Sequence, residues 1–140
     1  MNRDNMKALI ERLHAIWNTG DLDAIPDVYS RDVVVHWSRS DDPPESHGHE
    51  GAARAIRDTR AAFPDWHEVV VDMAIDGDRI VTRYVSTGTH RGPIVGIEPT
   101  GRRVEIDEIS IFRVANGKVA EQWCLIDYPT FMRELGGQGT

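Results

Sequence analysis

Apolar residues recur at helical spacing at the start of the chain, at Met6, Leu9, Ile10, Leu13, Ile16 and Trp17, and Asn18-Thr19-Gly20 ends the run. That pattern predicts an amphipathic first helix. Asp21 is placed to cap a short second helix holding Leu22, Ile25 and Tyr29, with Pro26 limiting its regularity. Val33 to Ser38, VVVHWS, reads as a strand from its β-branched content. The polar stretch through Pro43-Pro44 predicts a loop. From about Glu50 to Phe63 an alanine-rich run puts Ala52, Ala55, Ile56 and Phe63 on one side of a helix that Pro64-Asp65 ends. The remainder reads as sheet: Trp66 to Ala74, a turn at Asp76-Gly77-Asp78, Arg79 to Thr89, a loop through Gly92-Pro93 and Pro99-Thr100-Gly101, and a final hairpin. Helices first and strands later predict an α+β fold, a cone-shaped curved antiparallel sheet wrapped around helices and enclosing a blind pocket.

The hairpin carries the most information. Asn116-Gly117 between alternating apolar runs is a strong turn signal, but it leaves the register open. A two-residue turn pairs Ser110 with Trp123. A three-residue loop with Gly117 in a left-handed bulge pairs Ser110 with Gln122 and Glu108 with Cys124. A slip of one residue exchanges the faces. The bulged register gathers Ile106, Glu108, Ser110, Phe112, Ala120, Gln122, Cys124 and Ile126 on one face, small or polar groups among apolar ones, as in the lining of a ligand pocket. The opposite face then holds Ile109, Ile111, Trp123 and Leu125, too apolar to stay in water, which predicts a homodimer contact. Asp127, ending the last strand, is suited to cap a C-terminal helix with Phe131, Met132 and Leu135.

At 140 residues the chain fits a single domain spanning 1–140. A net charge of −7, from 16 basic and 23 acidic residues, argues against nucleic acid or an anionic membrane as partner. The first residues lack a continuous apolar core, so a cytoplasmic location is expected. One cysteine rules out an intrachain disulfide framework and a multi-thiolate metal site within the chain. His47 and His49, with His36 or His90, lack a carboxylate at matched spacing, and no metal is expected. The chain also lacks a glycine-rich phosphate loop, a nucleophile elbow and a dinucleotide fingerprint, which leaves a pocket without a cofactor.

The order of several motifs resembles the SnoaL-like polyketide and ester cyclases, a branch of the nuclear transport factor 2-like cone fold. These are Trp17-Asn18-Thr19-Gly20, His47-Gly48-His49-Glu50-Gly51, Phe63-Pro64-Asp65, Thr87-Gly88-Thr89-His90-Arg91-Gly92, and Phe112-Arg113-Val114 followed by Gly117-Lys118-Val119, Glu121, Trp123 and Asp127. The resemblance implies a small-molecule enzyme that performs acid/base chemistry on a carbonyl compound: intramolecular aldol cyclisation, isomerisation or dehydration. It implies a pocket aspartate on the last strand and a histidine on the strand before. Here Cys124 stands at the aspartate position and Ser110 at the histidine position. Trp17 matches an aromatic that lines the substrate site in some members.

Glu108 is the leading catalytic candidate. Facing the cavity among Ile106, Phe112 and Trp17, it would lose hydration and its pKa would rise; the alternative is a place in the solvated cluster Glu105, Asp107 and Glu108. Pairing with Arg83 would instead lower that pKa. His36 is the second acid/base candidate, and alternation requires that either it or Trp37 face inward. Ser110, Gln122, Cys124, Phe112 and Trp17 are the expected substrate contacts, and the expected partner is a small apolar carbonyl-containing molecule. The other classes are a non-catalytic small-molecule binding module and a dimerisation module, each having lost the family's aspartate and histidine.

Overall fold

A computed structural model describes residues 1–38 and 44–136. The polar stretch at 39–43, with Pro43, lies outside the described residues.

Helix α1 (Arg3–Thr19) starts where the Asn2 side chain accepts the Asn5 N–H and ends at Gly20, whose positive φ of 75° lets its N–H return to the Ile16 carbonyl. Its buried face holds the predicted apolar residues and, with them, His14. The second helix is shorter than expected. It divides into a 3₁₀ turn at Leu22–Ala24 and a single turn α2 (Ile25–Val28), and Asp21 makes no side-chain cap. Tyr29 belongs instead to strand β1 (Tyr29–Trp37), because its ring is needed in the core, where it is buried.

Then follow β2 (Glu45–His47), α3 (Gly48–Ala62), β3 (His67–Asp76), β4 (Arg79–Thr89), β5 (Arg103–Ala115), β6 (Lys118–Ile126) and α4 (Tyr128–Glu134). The strands form one curved sheet in the order β2-β1-β6-β5-β4-β3, not closed into a barrel. Neighbours run antiparallel except β1 and β6, which are parallel and bring the two halves of the chain together. The core lies between the concave face of the sheet and α1 and α3, where Leu9, Ile10, Leu13, Ile56, Ile80, Ile106 and Phe112 are almost wholly buried. Arg60 locks the corner: its guanidinium donates to the carbonyls of Trp17, Asn18, Pro64 and Trp66, tying the end of α1 to the connection between α3 and β3. Asp127 caps α4, accepting from the Thr130 N–H and hydroxyl.

The hairpin register differs from both readings of the sequence. Asn116 and Gly117 form a two-residue turn, with φ of 52° and 76°, between paired Ala115 and Lys118. Ala120 then bulges out, so Ser110 faces Cys124 and Glu108 faces Ile126 rather than Cys124. The face assignment survives, because the turn and the bulge together displace the expected pairing by an even number of residues.

Candidate active site

Inward positions on the three central strands carry a polar cluster in an otherwise apolar core. Glu108 and Ser110 come from β5, Tyr84 and Ser86 from β4, and Gln122 and Cys124 from β6, all buried. Buried polar groups must bond one another. The Ser86 hydroxyl donates to Glu108 Oε2, and the Cys124 thiol lies 3.6 Å from Oε1. The Tyr84 hydroxyl is 2.9 Å from Ser110 Oγ, which also accepts from Gln122 Nε2 at 3.1 Å.

A cavity of about 860 Å³ opens over this cluster, within the size range of small-molecule sites. Glu108, Gln122 and Cys124 line it, with Trp17, Trp37, Trp66, Tyr84 and Phe131, while Glu45, His47, Arg54 and Asp58 stand toward its charged rim. Trp17 is held by an indole bond to the Tyr29 hydroxyl at 3.0 Å, and Trp37 by one to Ser46 Oγ at 2.9 Å. The walls are mainly apolar, as expected, but four carboxylates, Glu45, Asp58, Glu68 and Glu108, and two histidines, His14 and His47, are set among them.

Several expected contacts fall elsewhere. Ser110 and Phe112 share the inward face with Glu108 but are not cavity-lining: Ser110 is roofed by its bonds to Tyr84 and Gln122, and Phe112 packs in the core. His36 is turned to the outer face, so Trp37 takes the inward position. Its Nε2 is 2.7 Å from Glu121, its Nδ1 3.0 Å from Glu45, and its ring stacks on Trp123 at 5.4 Å. An imidazole held between two carboxylates there cannot reach a molecule in the cavity. His90 is fully buried against Phe63 and Thr100. Arg83 pairs with Asp72 on the outer face at 2.8 Å and leaves Glu108 alone. Among the described residues, no group of His, Cys, Asp or Glu is arranged to hold a metal ion, and no helix is long and apolar enough to cross a membrane.

Burial raises the pKa of Glu108 from 4.5 to about 8, and the negative charge of Glu68 pushes the same way, against the bonds from Ser86 and Cys124. Glu108 is therefore largely protonated at neutral pH and able to donate. Burial and the nearby Glu108 also push the Cys124 thiol well up, which keeps it a thiol and not a nucleophile. Tyr84 is raised in the same way, by burial first.

The sequence reading missed a second polar group opposite the first. His14 Nδ1 lies 2.7 Å from Glu68 Oε1, the Trp66 indole donates to Glu68 Oε2 at 2.9 Å, and His14 Nε2 is 3.3 Å from Thr82 Oγ1. His14 and Glu68 both line the cavity. The available signal was spacing: His14 falls on the stripe of Ile10, Leu13 and Trp17, and Glu68 has the strand parity of Trp66.

The comparisons agree with this architecture. The model of the SnoaL-like polyketide cyclase family matches residues 7–135. Aklanonic acid methyl ester cyclase DnrD of Streptomyces peucetius is 26% identical over 129 residues, covering 91% of this chain and 88% of that protein. Among solved structures, TsrD from Streptomyces laurentii superposes with a TM-score of 0.87 at 29% identity, covering 97% of this chain and 98% of its own. IdmH from Streptomyces antibioticus gives 0.79 at 32% identity, covering 93% and 97%. A family match over most of the chain, on a fold shared with these solved structures, makes this protein a member of the SnoaL-like polyketide cyclase family.

Proposed function

We propose that the protein is an enzyme that closes a carbon ring in a polyketide-type carbonyl compound by intramolecular aldol chemistry, using its own side chains as acid and base. The observation that carries this reading is a buried carboxylic acid, Glu108, lining the cavity beside the position where the family's aspartate would stand. Cys124 fills that position and bonds the carboxyl that has taken its place one strand over. As a donor at neutral pH, Glu108 protonates the oxygen of the carbonyl under attack, so that charge does not build up in the apolar interior. Trp17, Trp37 and Phe131 supply flat apolar surfaces for a fused-ring substrate, and Gln122 an amide at the floor. The working unit is a homodimer formed through the outer sheet face.

The relative's name supplies the probe, aklanonic acid methyl ester. The purified protein is expected to convert it to a cyclised isomer of unchanged mass. Glu108→Gln should lower the rate by roughly 100-fold or more while the ester still binds. An unchanged rate in that variant would sink the role of Glu108. Binding without conversion by the unaltered protein would return the chain to a binding module.

A further inference from the structure

Ring closure needs a proton removed from carbon as well as one delivered to oxygen, and Glu108, when protonated, does only the second. We infer that Glu68, held by His14, is the base of this cavity and Glu108 the acid. The inference rests on the reading of Glu108 given above and adds a second carboxylate to it.

Glu68 is 8% exposed and lines the same cavity as Glu108. Its placement is over-determined. Asn18, at the end of α1, clamps the Glu68 backbone both ways, accepting its N–H at 2.7 Å and donating to its carbonyl at 3.1 Å. Each carboxylate oxygen takes one N–H donor, from His14 and from Trp66. Each oxygen has two acceptor sites, so one on each remains free for a substrate hydrogen. The His14 tautomer protonated at Nδ1 satisfies Glu68 and leaves Nε2 to accept from the Thr82 hydroxyl. Tyr29, Tyr84, Glu108 and Cys124 all feel the charge of Glu68, and His14 is bonded to it.

The two carboxyl groups thus share a cavity in unlike settings. Glu68 is fixed by two N–H donors, whereas Glu108 meets a hydroxyl and a thiol. Such a split assigns acid and base. In the reaction, Glu68 takes a hydrogen from the carbon next to one carbonyl, and the C–H pair becomes the enolate. The enolate carbon bonds to the second carbonyl carbon, whose π pair moves to its oxygen, and that oxygen takes the proton of Glu108. The cycle leaves Glu68 protonated and Glu108 ionised. One proton lost to water and one gained from it restore both groups.

The test uses aklanonic acid methyl ester in deuterated water and follows two readouts: ring closure, and deuterium entering the unreacted ester. Glu68→Gln is expected to lose both by on the order of 100-fold. Glu108→Gln is expected to lose ring closure yet keep deuterium exchange near the level of the unaltered protein. Glu68→Asp, which retains the charge but draws it back from the cavity, should fold and exchange more slowly. A purely structural Glu68 would lower thermal stability and affect the two readouts alike in proportion to folded protein. Exchange at the normal rate in folded Glu68→Gln or Glu68→Asp overturns the inference and leaves the role of Glu108 standing. Exchange lost in Glu108→Gln but kept in Glu68→Gln gives both proton transfers to Glu108. Neither closure nor exchange in the unaltered protein removes both readings.

Discussion

Ser86 is the side chain through which Glu108 is tuned. Its hydroxyl stabilises the ionised carboxylate, so Ser86→Ala should raise the Glu108 pKa and move the alkaline limb of the rate profile to higher pH. That limb, expected near pH 8 where the donor form is lost, should vanish in Glu108→Gln; kinetics against pH check both. The same group links pH to stability. Below about 4.5 folded and unfolded states both hold the Glu108 proton; between 4.5 and about 8 only the folded state does, so stability contributed by this group declines as pH rises through that window. The decline is on the order of 5 kcal/mol. Glu108→Gln should flatten it, and urea denaturation at pH 5 and pH 9 measures the difference. Glu108 could be singled out in the sequence because its parity placed a carboxylate among apolar neighbours. Glu68 shared the parity of Trp66, but its role did not show because its partners are remote: His14 lies 54 positions away and Asn18 lies 50. Alternation shows which face a side chain takes, whereas only the packing of α1 on β3 shows what it meets there.

The hairpin illustrates what local pattern settles and what it leaves open. Asn116-Gly117 located the turn, and the run of alternating residues divided the two faces correctly. The bulge at Ala120 was not legible, because it answers to a third strand: β6 pairs with β1 as well as β5, and both pairings shift at the same place. The short second helix failed for a related reason, since the demand to bury Tyr29 outweighed helical spacing. Gly117 holds a φ of 76° with open space around it, so Gly117→Ala should destabilise by about 1 kcal/mol from backbone strain alone. Removing the α4 cap with Asp127→Ala should lower stability as well. It should also weaken ester binding, because α4 carries Phe131 to the cavity. Chemical denaturation and a binding isotherm read the two effects separately.

At the scale of the whole molecule, the outer face of the sheet leaves Ile109, Ile111 and Leu125 exposed, with Leu125 at 60%. Trp123 beside them is partly shielded by the His36 ring and by Arg79, 5.2 Å from the indole. The proposed dimer through this face should appear in sedimentation at micromolar concentration, and Leu125→Lys should yield a folded monomer. A monomer in the unaltered protein removes the dimer. The central pairing of β1 with β6 joins Tyr29 to Val119 and Trp37 to Cys124. Chain closure on that scale is slow, because the entropy of a long loop must be spent before the contacts form. While the protein is being made, β1 has only the short β2 to bond until β6 leaves the ribosome. A nascent chain extending only to the turn at Asn116 can form its first helix and the β3-β4-β5 meander, yet Trp37 on β1 stays unattached to the Glu108 floor on β5. Assembly of the cavity thus waits for β6, and a pause in translation before β6 emerges would hold an exposed β1 edge open to chaperones or to aggregation.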